Sequence, residues 1–141
     1  MLRNQNDRQL RLAEIEHGAW ADGSSWTRVI KPLQSEGLRV LAAPIPLTSL
    51  SDDVTALESA LERTNGPAVL VAHAYAGAVI GASFNQRVRS LVFIAALTPD
   101  EGETVGEVFY REKPHPEAPQ LAPDKHGFLW MPDDRFGTTF A

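Results

Sequence analysis

One stretch constrains the fold more than any other: Ala68-Val69-Leu70-Val71, followed by Ala72-His73-Ala74-Tyr75 and then Ala76-Gly77-Ala78-Val79-Ile80-Gly81-Ala82. The opening apolar run is short and follows Asn65-Gly66-Pro67, which marks a buried strand entered from a turn. The closing run, Ala76 to Phe84, reads as a tightly packed helix. Small side chains between the two allow a strand to turn abruptly into a helix. That layout matches a nucleophile elbow, whose pattern is G-x-S-x-G. Here the corresponding positions are Ala72, His73, Ala74, Tyr75 and Ala76, so alanine stands at the nucleophile position.

The same alternation runs through the flanking chain. Ser25 to Glu36 carries Trp26, Val29, Ile30 and Leu33 on one helical stripe, with a serine cap at its start and Gly37 at its end. Pro32 inside it predicts a kink or an early stop. Leu38 to Ala43 reads as a strand closed by Pro44 and Pro46. Ser51 to Arg63 is the strongest helix: Ser51 is the expected cap, Asp52 and Asp53 suit the positive end, and Val54, Leu57 and Leu61 share a face. Val88 to Leu97 is the last clear strand. Continuous apolar strands separated by helices predict an α/β fold, a parallel sheet covered on both faces. Gln9 to Glu16 is open at this level. Leu10 and Leu12 alternate with Arg11 as in a strand, yet Asn6 with Gln9 resembles a capping box and Gly18 suits a helix end.

Beyond Pro99 the character changes: residues 99 to 141 hold six of the ten prolines. Phe128 to Met131 reads as a short strand and the remainder as a loop or lid. The expected organisation is one domain over residues 1–141, with a core at 9–98 and a lid-like segment at 99–141.

Composition narrows the function. The 141 residues carry a formal net charge of −5, which makes a nucleic-acid backbone a poor partner. There is no cysteine, hence no disulfide, no thiolate metal site and no cysteine nucleophile in this sequence. Four histidines without paired spacing predict no metal site, and no phosphate-cradling glycine loop or dinucleotide fingerprint is present, so no cofactor is expected. The N-terminal residues lack an apolar signal region, and no apolar run reaches membrane-spanning length. The expectation is a cytoplasmic protein with no membrane partner.

His17-Gly18-Ala19-Trp20-Ala21-Asp22-Gly23-Ser24-Ser25-Trp26, the elbow-like turn at 72–77 and the segment Phe93-Ile94-Ala95-Ala96-Leu97-Thr98-Pro99-Asp100-Glu101-Gly102-Glu103 occur in the order found in one superfamily. The chain resembles the α/β-hydrolases, in particular small esterases and hydroxynitrile-lyase-like enzymes, over residues 17 to about 136. The resemblance implies a partial α/β-hydrolase fold with family strand order 4-3-5-6, and makes Gln9 to Glu16 a strand. It implies that the backbone N–H groups of Ala19 and Tyr75 form an oxyanion hole, with Trp20 and His73 beside it. It also implies that the acid and histidine belong to segments after the seventh and eighth strands, past Ala141. Some members take the acid from the end of the sixth strand, where Asp100 and Glu101 lie, with His115 and His126 following.

Three functions are expected to compete. The first is a hydrolase-like protein without catalysis that binds a small acyl-type ligand. The second is a serine ester hydrolase whose serine at position 74 has become alanine, or which another chain completes. The third is an interaction module using an open sheet edge. A homodimer through the Val88–Leu97 edge or the segment at 99–141 is expected.

Overall fold

The computed structural model describes residues 12–140. Strand β1 (Leu12–Glu16) leads through a turn of 3-10 helix (Gly23–Trp26) into α1 (Thr27–Ser35) and β2 (Arg39–Ala42). Helix α2 (Leu50–Glu62), β3 (Ala68–Ala74), α3 (Ala76–Gly81) and β4 (Val88–Ala96) complete the core. The expected strand at Gln9 to Glu16 is therefore present from Leu12 onward, and Gln9 to Arg11 lie outside the described residues.

All pairings are parallel, and the order is β2-β1-β3-β4. This is the expected 4-3-5-6 arrangement of a partial α/β-hydrolase sheet. One face is built by Ala68, Leu70 and Ala72 against Leu57 and Leu61 of α2 and Val79 and Ile80 of α3, all fully buried. Leu41 packs on this cluster. Its neighbour Ala42 points to the other face, where a Cβ on Gly23 would lie 2.9 Å from it, so the 3-10 turn and α1 cover that side. Helices thus lie on both faces. Glu16, an unpromising residue for a central strand, is nonetheless fully buried beside Ala72.

Several boundaries differ from the sequence reading. Asp22 caps the 3-10 turn by accepting from Ser24 N–H at 2.8 Å, so the helix region starts on an aspartate rather than a serine. Pro32 does not end α1, which continues to Ser35. Pro32 has no N–H for the Arg28 carbonyl, and Arg28 is exposed, where water can take its place. Helix α2 is capped by Ser49, which accepts from Asp52 N–H at 3.1 Å, and Ser51 lies inside it. Helix α3 ends at Gly81, and Phe84 is 92% exposed. Phe128 to Met131 is no strand: Leu129 makes a single isolated bridge with Pro123. The segment after Pro99 contains two helices not foreseen, α4 (Val105–Phe109) and α5 (Asp133–Phe140). Thr104 and Glu107 form a full capping box on α4, a signal present in the local sequence.

Strand β4 is an edge among the described residues, and its exposure is unusual. Leu91, Val92, Phe93 and Ile94 are 39–44% exposed. Leu91 and Phe93 register with Leu70 and Ala72, while Val92 and Ile94 register with Val71 and His73, so both faces of the strand are partly open. Irregular pairing at Arg89 and Ala95 brackets this five-residue stretch from Ser90 to Ile94.

Candidate functional site

The sheet order creates a topological switch point. From β1 the chain departs toward β2 on one side, and from β3 it departs toward β4 on the other. The loops leaving the carboxyl ends of these neighbouring strands therefore part, and open α/β sheets bind ligands at such a switch point. The residues there are His17 to Trp20 after β1 and Ala74-Tyr75 after β3.

Ala74 adopts φ +52°, left-handed backbone that a residue with a Cβ rarely occupies. It is the vertex of the turn, and β3 passes into α3 within two residues. Two glycines make the close approach possible. A Cβ on Gly77 would fall 2.5 Å from the Leu97 carbonyl oxygen and 2.7 Å from Ala96 Cβ. A Cβ on Gly18 would lie 3.1 Å from Ala74 Cβ and 3.4 Å from His73 Nδ1. The bare backbone at Gly18 thus sets the loop bearing Ala19 against the elbow. Leu97 N–H donates to the Ala74 carbonyl at 2.8 Å, fixing the turn from the far side.

The surroundings hold this geometry. His17 is buried, and its Nδ1 donates to the Gly18 carbonyl at 3.0 Å. Hydrogen bonds from Ser24 hold the Asp22 carboxyl below its usual range, and His17 adds a smaller attraction. Tyr75 donates its hydroxyl to Asp53 Oδ2, and Asp53 Oδ1 accepts from Leu47 N–H at 2.7 Å. Burial first, and then Asp53, push the Tyr75 phenol far above its ordinary pKa. Asp53 is fully buried, so it acts as an internal strut as well as a favourable charge at the start of α2.

Trp20 leaves this group. Its φ is +62°, and its indole Nε1 donates to the Leu129 carbonyl at 2.8 Å. The loop after β1 is thereby tied to the segment after Pro99. That segment shapes a broad, solvent-open cavity of about 930 Å³, lined by Trp20, Phe109, Tyr110, Lys113, His115 and Arg135 among others. Ala19, His73, Ala74 and Tyr75 do not line it. The other acids and histidines considered above serve lid turns. Asp100 N–H donates to Glu103, which pairs with Arg111. His126 N–H donates to Asp124, whose carboxylate also takes Phe128 N–H and Trp130 Nε1. These bonds, led by Trp130, lower the Asp124 pKa. The structure thus brings together Gly18, Ala19, His73, Ala74 and Tyr75, and assigns Trp20 and His115 to the lid cavity. Among the described residues no cluster suited to a metal ion occurs. No helix among them is long and apolar enough to cross a membrane.

A switch point between β1 and β3, a left-handed vertex between strand and helix, and a glycine-bearing loop set against it match the scaffold of α/β-hydrolases. A family model described as the alpha/beta hydrolase family matches residues 15–141, and the chain belongs to that family. Among solved structures it is similar to a pyrethroid hydrolase from Sphingobium faniae JZ-2, with 20% identity, TM-score 0.57, and coverage of 62% of this chain and 40% of that one. A variant of the pyrethroid hydrolase PytH gives 22% identity and TM-score 0.76 over 92% of this chain and 59% of that one. Polyneuridine aldehyde esterase gives 19% identity and TM-score 0.64 over 73% and 47%. These likenesses establish the fold, and the chain spans 40–59% of the length of these three. No curated protein matches it.

Proposed function

We propose that this chain binds a small acyl-type ligand in the crevice between β1 and β3 without turning it over. The observation that carries the reading is Ala74: the elbow retains its strained left-handed backbone, but its vertex bears a methyl group. Acyl transfer through this elbow needs a side-chain nucleophile and an adjacent base. What remains useful is the pair of backbone N–H groups at Ala19 and Tyr75, suited to donate to a carbonyl oxygen of a ligand. The test is hydrolysis of short-chain nitrophenyl esters against a heat-inactivated control, paired with quenching of tryptophan fluorescence by the same esters. Saturable quenching without turnover is expected. Turnover that scales with protein after repurification would overturn the reading.

The retained strain at Ala74 also favours a second reading, a serine ester hydrolase altered at one position or completed by another chain. Left-handed backbone at a residue with a Cβ costs on the order of 1–2 kcal/mol and persists where surroundings enforce it. Such a turn suits the presentation of a nucleophile.

For assembly, the apolar exposure of β4 favours a homodimer in which two copies pair antiparallel along this edge. A twofold axis at Val92 sets Leu91 against Phe93 and Ser90 against Ile94, each pair on one face, with no charged residue in the paired stretch.

A further inference from the structure

The open cavity formed by the segment after Pro99 combines two kinds of wall. Trp20, Phe109, Tyr110 and Met131 supply apolar surface, with the Phe109 and Tyr110 rings edge-on at 4.9 Å. Lys113 and Arg135 supply positive charge, and Glu117 is the single acidic side chain in the lining. In a chain of net charge −5 this local surplus runs against the background. Neither cation is neutralised by an ion pair: among the described residues the pair found is Arg111 with Glu103. Arg135 is instead fixed by a neutral acceptor, its Nη2 donating to the Glu117 carbonyl at 2.6 Å. His115 accepts Glu117 N–H at Nδ1, 3.2 Å away, so its neutral ring carries the proton on Nε2 and keeps a donor.

These features select a ligand class. A neutral acyl compound gains nothing from two uncompensated cations, and a bare inorganic anion gains nothing from an aromatic wall. A carboxylate carried on an aromatic or aliphatic body uses both, because a guanidinium matches a carboxylate's two oxygens and the rings bury the body. The volume of about 930 Å³ accommodates such a molecule with room to spare. From this we infer that the lid cavity is a binding site for an amphiphilic carboxylate, with Lys113 and Arg135 as its charge partners and Trp20 at the boundary with the elbow. The inference goes beyond the ligand-binding reading given above, because the elbow residues Ala19, His73, Ala74 and Tyr75 do not line this cavity.

A matched pair of probes tests it: 2-naphthoate and its neutral amide, titrated against the full chain by tryptophan fluorescence. Naphthoate is expected to bind roughly tenfold or more tightly than the amide, the scale of one hydrogen bond to a charged group. Raising the salt concentration should narrow the difference. Lys113→Gln should weaken naphthoate severalfold and leave the amide unchanged. Arg135→Gln should do the same, since glutamine keeps a donor for the Glu117 carbonyl. Equal binding of the two probes, or naphthoate affinity indifferent to both substitutions, would overturn the inference. If neither probe binds while short-chain esters still quench, this inference fails and the acyl-ligand reading stands. If esters also fail, both fall.

Discussion

Tyr75 and Asp53 are 22 positions apart in sequence, yet the tyrosine hydroxyl meets the Asp53 carboxylate at 2.5 Å and joins the elbow to the first turn of α2. Removing the hydroxyl leaves a buried carboxylate oxygen short of a donor. Tyr75→Phe is therefore expected to cost about 1–3 kcal/mol in urea denaturation. The bond also predicts a pH dependence. Because the folded phenol titrates above its unfolded value of 10, its contribution is complete below pH 10 and declines as pH rises further, when the unfolded chain ionises first. The stability gap between wild type and Tyr75→Phe should shrink above pH 10, and a gap that widened there would contradict the assignment.

Gly77 faces Leu97 and Ala96 so closely that a methyl group has no place, since a Cβ there would sit 2.5 Å from the Leu97 carbonyl oxygen. Gly77→Ala should therefore push α3 away from β4 and destabilise the protein by about 3 kcal/mol, the upper range for overpacking. A thermal midpoint within a degree of wild type would show that the strand and helix yield easily.

Ala74 offers two opposite substitutions. Ala74→Gly relieves left-handed strain worth about 1–2 kcal/mol and gives up a methyl contact worth up to about 0.8 kcal/mol, so a net gain of up to about 1 kcal/mol is expected. Ala74→Ser restores a hydroxyl but no base, and should not give multiple turnover on nitrophenyl esters. Efficient turnover would show that a triad assembles around position 74.

Light scattering at micromolar concentration should give the mass of two chains, and a monomer mass would refute the β4 dimer. Leu91→Pro removes an outward-facing N–H, because the bonds of Ala68 N–H to Arg87 and of Leu97 N–H to Ala74 set the alternation that turns Val92 toward β3 and Leu91 toward the edge, and it should return a folded monomer. A dimer that persisted unchanged in the folded variant would move the interface elsewhere.

The sheet is legible in the sequence because Ala68 to Val71 and Leu91 to Leu97 are apolar runs between helical stripes, the pattern of parallel strands in a covered sheet. The elbow is legible for a similar reason, since small residues at 72, 74 and 76 are a steric requirement of the turn. Helix ends are harder to read. Ser49 and Ser51 are both competent caps, and the choice falls to Ser49 because Leu47 and Thr48 are already engaged with Asp53 and Asp52. The Tyr75–Asp53 bond and the Trp20–Leu129 bond join residues 22 and 109 positions apart, and no local pattern encodes such contacts. The lid cavity is hidden from the sequence for the same reason: Lys113 and Arg135 look like ordinary surface cations until α5 folds back beside the Pro114–Pro119 turn.

The sheet order places β3 between β1 and β4, with both of its backbone edges paired and Ala68, Leu70 and Ala72 fully buried. Its amides should be among the last to exchange with deuterated solvent, opening only in near-global unfolding, while those of the exposed turns after Pro99 exchange early. The two halves of the site then live on different clocks. The vertex at Ala74 is carried by the slowest element of the molecule, while the Trp20–Leu129 bond ties the loop after β1 to the fastest, so the proposed ligand would meet a fixed elbow and a yielding segment after Pro99.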